Sequence, residues 1–136
     1  MRNPASRVAA CCCGALRITC TGDPVRISMC HCIACQRRTG APFGAQSRFL
    51  RGQVAAEGDS CRYVRQADSG NTVTFHFCPS CGSTVYWELA AFPDLVAVAL
   101  GAFADPSFQP PKISVWERTR HAWTRHIDDC AMEHLD

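Results

Sequence analysis

The stretch Ala15-Leu16-Arg17-Ile18-Thr19-Cys20-Thr21-Gly22-Asp23-Pro24-Val25-Arg26-Ile27-Ser28-Met29 decides the class of fold. Apolar and polar residues alternate on both sides of Thr21-Gly22-Asp23-Pro24. A period of two is that of a half-buried strand, and the Gly-Asp-Pro cluster is a turn signal, so the stretch predicts a β-hairpin. Working outward, further strands are expected over Gly44 to Leu50, Arg62 to Gln66, Thr72 to Phe77, Thr84 to Leu89 and Leu95 to Leu100. Gly52, Gly58-Asp59, Asp68-Ser69-Gly70-Asn71 and Phe92-Pro93-Asp94 punctuate them at the spacing of an all-β domain. One short helical turn is expected over Cys32 to Thr39 and another from Trp116 onward. The Pro-rich run Ala104 to Pro111 has few sheet donors and is expected to wrap the sheet as a loop. The fold class is therefore mainly β, a small β domain.

The chain has 136 residues, enough for one domain, and the single domain is placed over residues 1–136. Its 47% hydrophobic share includes 11 cysteines, so the aliphatic and aromatic content left for a core is ordinary to low. Part of the stability must come from elsewhere. A net charge of +2 with 19% charged residues is too mild for a nucleic-acid or membrane-surface partner. Lys112 is the only lysine among 14 basic residues. Val8-Ala9-Ala10-Cys11 resembles a lipoprotein cleavage site, but polar and basic residues precede it where an apolar segment is required. A cytoplasmic location is expected, and in a reducing compartment clustered cysteines serve more often as metal ligands than as disulfides.

Cys78-Pro79-Ser80-Cys81-Gly82 ends an apolar strand with two thiols in one tight turn. Such a pair can share a tetrahedral ion, and Gly82 frees the turn to aim N–H groups at sulfur. A structural zinc needs four such ligands. Cys11-Cys12-Cys13-Gly14 offers a second pair in Cys11 and Cys13, with Cys12 directed away, although Cys12 also permits another register. A redox dithiol is the competing reading of Cys78 and Cys81, and the βαβ pattern that accompanies it is absent.

Cys30-His31-Cys32-Ile33-Ala34-Cys35 places three thiols within six residues. Three protein ligands with a fourth position free is the catalytic zinc arrangement. His31 is a possible fourth ligand, but its position between two ligating cysteines favours a supporting or proton-transfer role. One shared ion for Cys30, Cys32, Cys35, Cys78 and Cys81 is the simpler alternative. Seven cysteines in three clusters fit two sites better. Arg37 and Arg38 follow directly and can offset thiolate charge or hold a carboxylate, against the alternative of two solvated surface arginines.

In order, Cys11 to Gly14, Cys30 to Phe43 and Phe77 to Gly82 resemble the glutathione-dependent formaldehyde-activating (GFA) enzyme family, which includes centromere protein V. Leu100 to Phe103, Asp105-Pro106, Pro111 to Ile113 and Trp123 extend the likeness over roughly residues 8–125. The resemblance implies a zinc-bound, Mss4-like β fold with two zinc ions. Cys11, Cys13, Cys78 and Cys81 would hold the structural ion. Cys30, Cys32 and Cys35 would hold the catalytic ion, with glutathione at its open side. Cys12 interrupts the first motif, and Cys20, Cys61 and Cys130 match nothing in the pattern. The activity implied is that of a carbon–sulfur lyase acting on a thiol–aldehyde adduct such as S-hydroxymethylglutathione, with His31 transferring the proton and Arg37 and Arg38 binding glutathione. The partners are then a small thiol and an aldehyde. A non-enzymatic zinc-binding module or a glutathione carrier is the alternative, and a nucleic-acid-binding zinc ribbon is disfavoured by the charge.

Overall fold

The computed structural model describes residues 3–127 and 130–136. In chain order its strands are β1 (Ser6–Ala10), β2 (Arg17–Thr21), β3 (Arg26–Cys30), β4 (Gly44–Leu50), β5 (Val54–Glu57), β6 (Cys61–Gln66), β7 (Thr72–Phe77), β8 (Thr84–Leu89), β9 (Leu95–Ala99) and β10 (Ile113–Val115). One α-helix, α1 (Ile33–Thr39), lies among the described residues, and none of their helices is long and apolar enough to cross a membrane. The protein is mainly β. Helical turns from Glu117–Thr119 and Ala122–Arg125 occupy the C-terminal segment, where helical structure is expected from Trp116 onward.

Two sheets form two layers. The smaller has the order β1-β2-β5, and the larger has the order β10-β3-β4-β9-β8-β7-β6. Every pairing in the large sheet is antiparallel except β10 with β3. Ala9, Leu16, Ile18 and Cys20 from the small sheet and its turn meet Phe49, Val85, Val96 and Val98 from the large one, with Phe103 closing the cluster. Burying a Leu, Val or Phe side chain is worth about 1.5–3 kcal/mol, so this cluster is the main apolar core. The opposite face of the large sheet carries a smaller cluster of Val73, Phe75, Trp87 and Ala97. Helix α1 overhangs that second face, with Arg38 Cζ 4.4 Å from the centre of the Trp87 ring.

The expected hairpin between residues 15 and 29 does not form. β2 pairs with β1 and β5, while β3 pairs with β4 and β10, so the chain changes sheets between them. The turn residues are held from outside. Gly22 N–H donates to Ala5 O at 2.8 Å, Val25 N–H to Arg48 O at 2.7 Å, and Gln53 Nε2 to both Thr21 O and Asp23 O at 3.0 Å. Alternation is the same in a hairpin as in a crossing between layers, because each strand buries one face in either case. The segment Ala104 to Pro111 runs between Phe103 and β10 as an irregular loop, anchored where Phe108 stacks on Phe103 at 4.7 Å.

Candidate metal centres

The first set of sulfurs joins the two sheets. Cys11 and Cys13 lie in the turn between β1 and β2, and Cys78 and Cys81 in the turn between β7 and β8. The four Sγ atoms lie within 4.8 Å of one another. Cys13 Sγ is 3.6 Å from both Cys11 Sγ and Cys78 Sγ. A tetrahedron with metal–sulfur bonds of about 2.3 Å places its corners roughly 3.8 Å apart, so the spacing suits a zinc-sized ion.

Both turns aim donors at sulfur. Leu16 N–H donates to Cys11 Sγ at 3.2 Å and Ser80 N–H to Cys78 Sγ at 3.4 Å. Gly82, at φ +77°, closes its turn with an N–H bond of 2.8 Å to Cys78 O. Cys12 points to solvent, as expected, and its N–H donates to Ser83 Oγ at 3.3 Å. The hydroxyl and backbone of Ser83 bring the Cys81 thiol down to about 5. The backbone bond from Ala15 lowers the Cys13 thiol, but Cys78, Cys11 and burial outweigh it and bring the thiol up to about 11. Four sulfurs this close cannot all ionise without a cation among them.

The second set lies where β3 gives way to α1. Cys30 ends the strand, Cys32 caps the helix and Cys35 lies one turn on, and their sulfurs lie within 4.8 Å of one another. Cys32 Sγ accepts the Cys35 N–H at 3.3 Å, the N-cap bond that Ser or Asp usually supplies. Cys35 is brought down to about 5, first by Cys30 and, against burial, by Arg38. Cys30 is pushed up by Cys35 and by burial. Three sulfurs of this donor type fit a zinc ion with one position left for a ligand.

His31 faces elsewhere. Its ring is fully buried, with Nε2 3.1 Å from Ser114 Oγ on β10 and Nδ1 without a partner. Burial, and then Arg120, hold it below the ordinary histidine value. Its nitrogens stand outside the group formed by the three sulfurs. The His31 carbonyl accepts from Thr119 Oγ1 at 2.7 Å and Gln36 Nε2 at 2.9 Å, which ties the C-terminal segment to α1.

Arg37 and Arg38 line a concavity of about 710 Å³ between α1 and β6–β7, walled by Tyr63, Phe75 and Phe77. Arg38 lines this space and also hydrogen-bonds to Cys35. A side chain at Gly44 would meet Arg38 Nη2 at 2.8 Å and Cys35 Cβ at 3.4 Å, so the bare glycine makes room for the guanidinium beside Cys35.

A family model for the glutathione-dependent formaldehyde-activating enzyme matches residues 6–119. The chain belongs to that family. Among solved structures, a Rhodobacter sphaeroides protein from structural genomics has a similar fold, with a TM-score of 0.55 and 18% identity over 76% of this chain and 91% of that one. No curated protein matches the chain.

Three residues beside the Cys30, Cys32 and Cys35 cluster were not evident from the sequence. Trp116 adopts the left-handed region at φ +56°, which is costly for a bulky residue, and stands beside Cys30, Cys32 and Cys35 in the wall of one cavity. Arg26 and Arg48 line the same cavity. The signal in the sequence is faint: arginines at alternate strand positions look like solvent-facing residues until the register is known.

Proposed function

We propose that the protein is a zinc-dependent carbon–sulfur lyase of the GFA type, acting on the adduct of a small thiol, glutathione, with an aldehyde such as formaldehyde. The observation that carries this reading is the incomplete donor set of Cys30, Cys32 and Cys35, which lines a cavity beside a face rich in arginine. The second ion belongs to Cys11, Cys13, Cys78 and Cys81, whose closed set serves the fold.

A zinc ion on the three-sulfur set would supply Lewis acidity, stabilising a thiol in its thiolate form. The residues of this chain do the rest. Cys32 is fixed by its capping bond and Cys30 by its place in β3, so the sulfurs are preorganised. Arg37 and Arg38 supply positive charge for a glutathione carboxylate, with Arg38 steadied on Trp87. In the forward direction the thiol sulfur bonds to the carbonyl carbon, and the thiol proton ends on the aldehyde oxygen. In reverse, the C–S bond breaks and the proton returns. His31 is suited to bracing Cys30 and Cys32 from β10, because its ring is buried against Ser114; the proton-transfer role expected from sequence is the other reading of this residue. Metal binding by the seven clustered cysteines needs them reduced, which suits a reducing cytoplasm.

Calorimetry on the zinc-loaded protein tests the reading. Glutathione is expected to bind at one site per chain and S-methylglutathione much more weakly, because the thioether cannot ionise. Equal affinity for the two would overturn capture through sulfur and leave a carrier or scaffold role.

A further inference from the structure

Period-two alternation sets Arg26, Ser28 and Cys30 on one face of β3. The register places Arg26 opposite Arg48, Ser28 opposite Gln46 and Cys30 opposite Gly44 on β4. The two arginines and the three metal-ligand cysteines therefore line one cavity, of about 170 Å³, whose walls include Trp87, Phe92 and Trp116.

The arginine pair is unfavourable as it stands. Like charges directly opposite on neighbouring strands repel, and partial burial strengthens the repulsion. The ion pairs made by arginine among the described residues are Arg7–Asp23, Arg51–Glu88 and Arg120–Glu117, none of which involves Arg26 or Arg48. Nε of Arg26 and Nε of Arg48 are both buried without a hydrogen-bond partner. Among the described residues, the Arg48 guanidinium stands over the Phe92 ring, with Cζ 5.3 Å from the ring centre. Burial, and then Arg26, disfavour its charged form. Asp68 also lines the cavity but is exposed and pairs with neither arginine, and Arg65 adds a third positive charge. An unbalanced cation pair persists in a fold where something other than stability selects it.

We propose that Arg26 and Arg48 form a carboxylate receptor, so that the three-sulfur site takes a thiol whose carboxylate lies far from its sulfur, as in a peptide thiol. This rests on the reading of the site as one that captures a thiol. Cys30 and Arg26 lie four positions apart on β3, roughly 13 Å along the backbone. The sulfur of glutathione sits on its central residue, so roughly 7–9 Å of extended chain separates it from either terminal carboxylate, and the arginine and cysteine side chains cover the rest. Glutathione has two carboxylates, and with one near Arg37 and Arg38 the other is left for this pair. Two guanidiniums hold a carboxylate through parallel N–H bonds and thereby lose their mutual repulsion.

The test compares wild type with Arg26→Met, Arg48→Met and Arg48→Lys, all zinc-loaded. The probes are glutathione, glutathione diethyl ester and 2-mercaptoethanol, measured by calorimetry, and S-methylglutathione, measured by its shift of the melting temperature. Wild type is expected to prefer glutathione over its diester by tenfold or more. Either Met variant should lose about tenfold in glutathione affinity while binding the diester and 2-mercaptoethanol as wild type does. Arg48→Lys should fall between. Without ligand, Arg48→Met should melt at or above wild type, because a repulsion has been removed. Glutathione affinity unchanged in both Met variants, or a ligand-free melting temperature well below wild type, would overturn the receptor. If no thiol binds wild type but S-methylglutathione raises its melting temperature and not that of the Met variants, thiol capture fails and the receptor stands. If S-methylglutathione acts equally on all, the receptor fails.

Discussion

The sulfur of Cys13 lies 3.6 Å from the sulfur of Cys78, although 65 residues separate them in sequence. One belongs to the turn of the small sheet and the other to a turn of the large sheet, so an ion held there clamps one layer to the other. Closing so long a loop removes considerable freedom from the unfolded chain.

Cys81→Ser is accordingly expected to lose one zinc ion and to unfold or aggregate. A structural zinc contributes on the order of 10 kcal/mol of apparent binding energy to a small domain. Cys12→Ser, at an exposed position between Cys11 and Cys13, should keep its metal and its melting temperature within a few degrees of wild type. Metal analysis with circular dichroism on both variants checks the pair. A native-like, zinc-depleted Cys81→Ser protein would contradict the clamp.

The two ions should differ in lability. The four-sulfur set is closed, whereas Cys30, Cys32 and Cys35 leave one position free. Mild chelation should remove one equivalent of zinc while the β-sheet spectrum persists, and harsher chelation should remove the second together with the fold. Cooperative loss of both equivalents would contradict the division of roles.

Glu88 provides a pH-dependent contribution away from both cysteine clusters. It accepts from Arg51 Nη2 at 2.8 Å and pairs with His76 Nε2 at 2.8 Å, while His76 Nδ1 meets Ser60 Oγ at 3.3 Å. Burial raises its pKa, but the bonds from Arg51 and His76 outweigh that and hold the carboxyl below its ordinary value. A depressed carboxyl contributes stability that is fully present above its unfolded value and is lost as pH falls through the folded one. Glu88→Gln should therefore be less stable than wild type at neutral pH, with the gap closing as pH drops below the ordinary glutamate range. Urea unfolding of both proteins across that range checks the sign. A gap that widens in acid would contradict it.

Trp116 separates fold from function. Its left-handed backbone costs roughly 1–2 kcal/mol for a residue with a side chain, and glycine adopts the same conformation freely. Trp116→Gly should thus fold with stability near wild type, even though the buried half of a large side chain is lost. Its affinity for glutathione should fall several-fold, because one wall of the cysteine cavity is gone. Chemical denaturation and calorimetry read the two effects separately.

Much of this was legible from the sequence. The alternating runs at Thr72–Phe77 and Thr84–Leu89 correspond to strands β7 and β8 with the same bounds, and Cys32 to Thr39 holds the helix with Cys32 as its cap. Three strands escaped notice for local reasons. β1 (Ser-Arg-Val-Ala-Ala) is short with Arg7 breaking its apolar pattern, β5 (Val-Ala-Ala-Glu) is short and mostly exposed, and β10 has only three residues. Each is defined by its partner strand more than by its own pattern. Each short cysteine motif was readable from its local spacing, but the union of Cys11 and Cys13 with Cys78 and Cys81 rested on the need for four ligands and on the family resemblance, because 65 residues separate Cys13 from Cys78. The opposition of Arg26 and Arg48 was not, since only the register of β3 on β4 brings them together.

Cobalt substitution tests the central claim most directly. Co²⁺ in place of zinc reports how many thiolates surround it through its sulfur-to-metal charge-transfer absorption. Adding glutathione to the cobalt-loaded protein is predicted to increase that absorption, saturating at one equivalent per chain, as a fourth sulfur joins Cys30, Cys32 and Cys35. S-methylglutathione should leave the band unchanged, and Cys35→Ser should abolish the response. An absorption unaltered by saturating glutathione would contradict capture of a thiol at the three-cysteine centre.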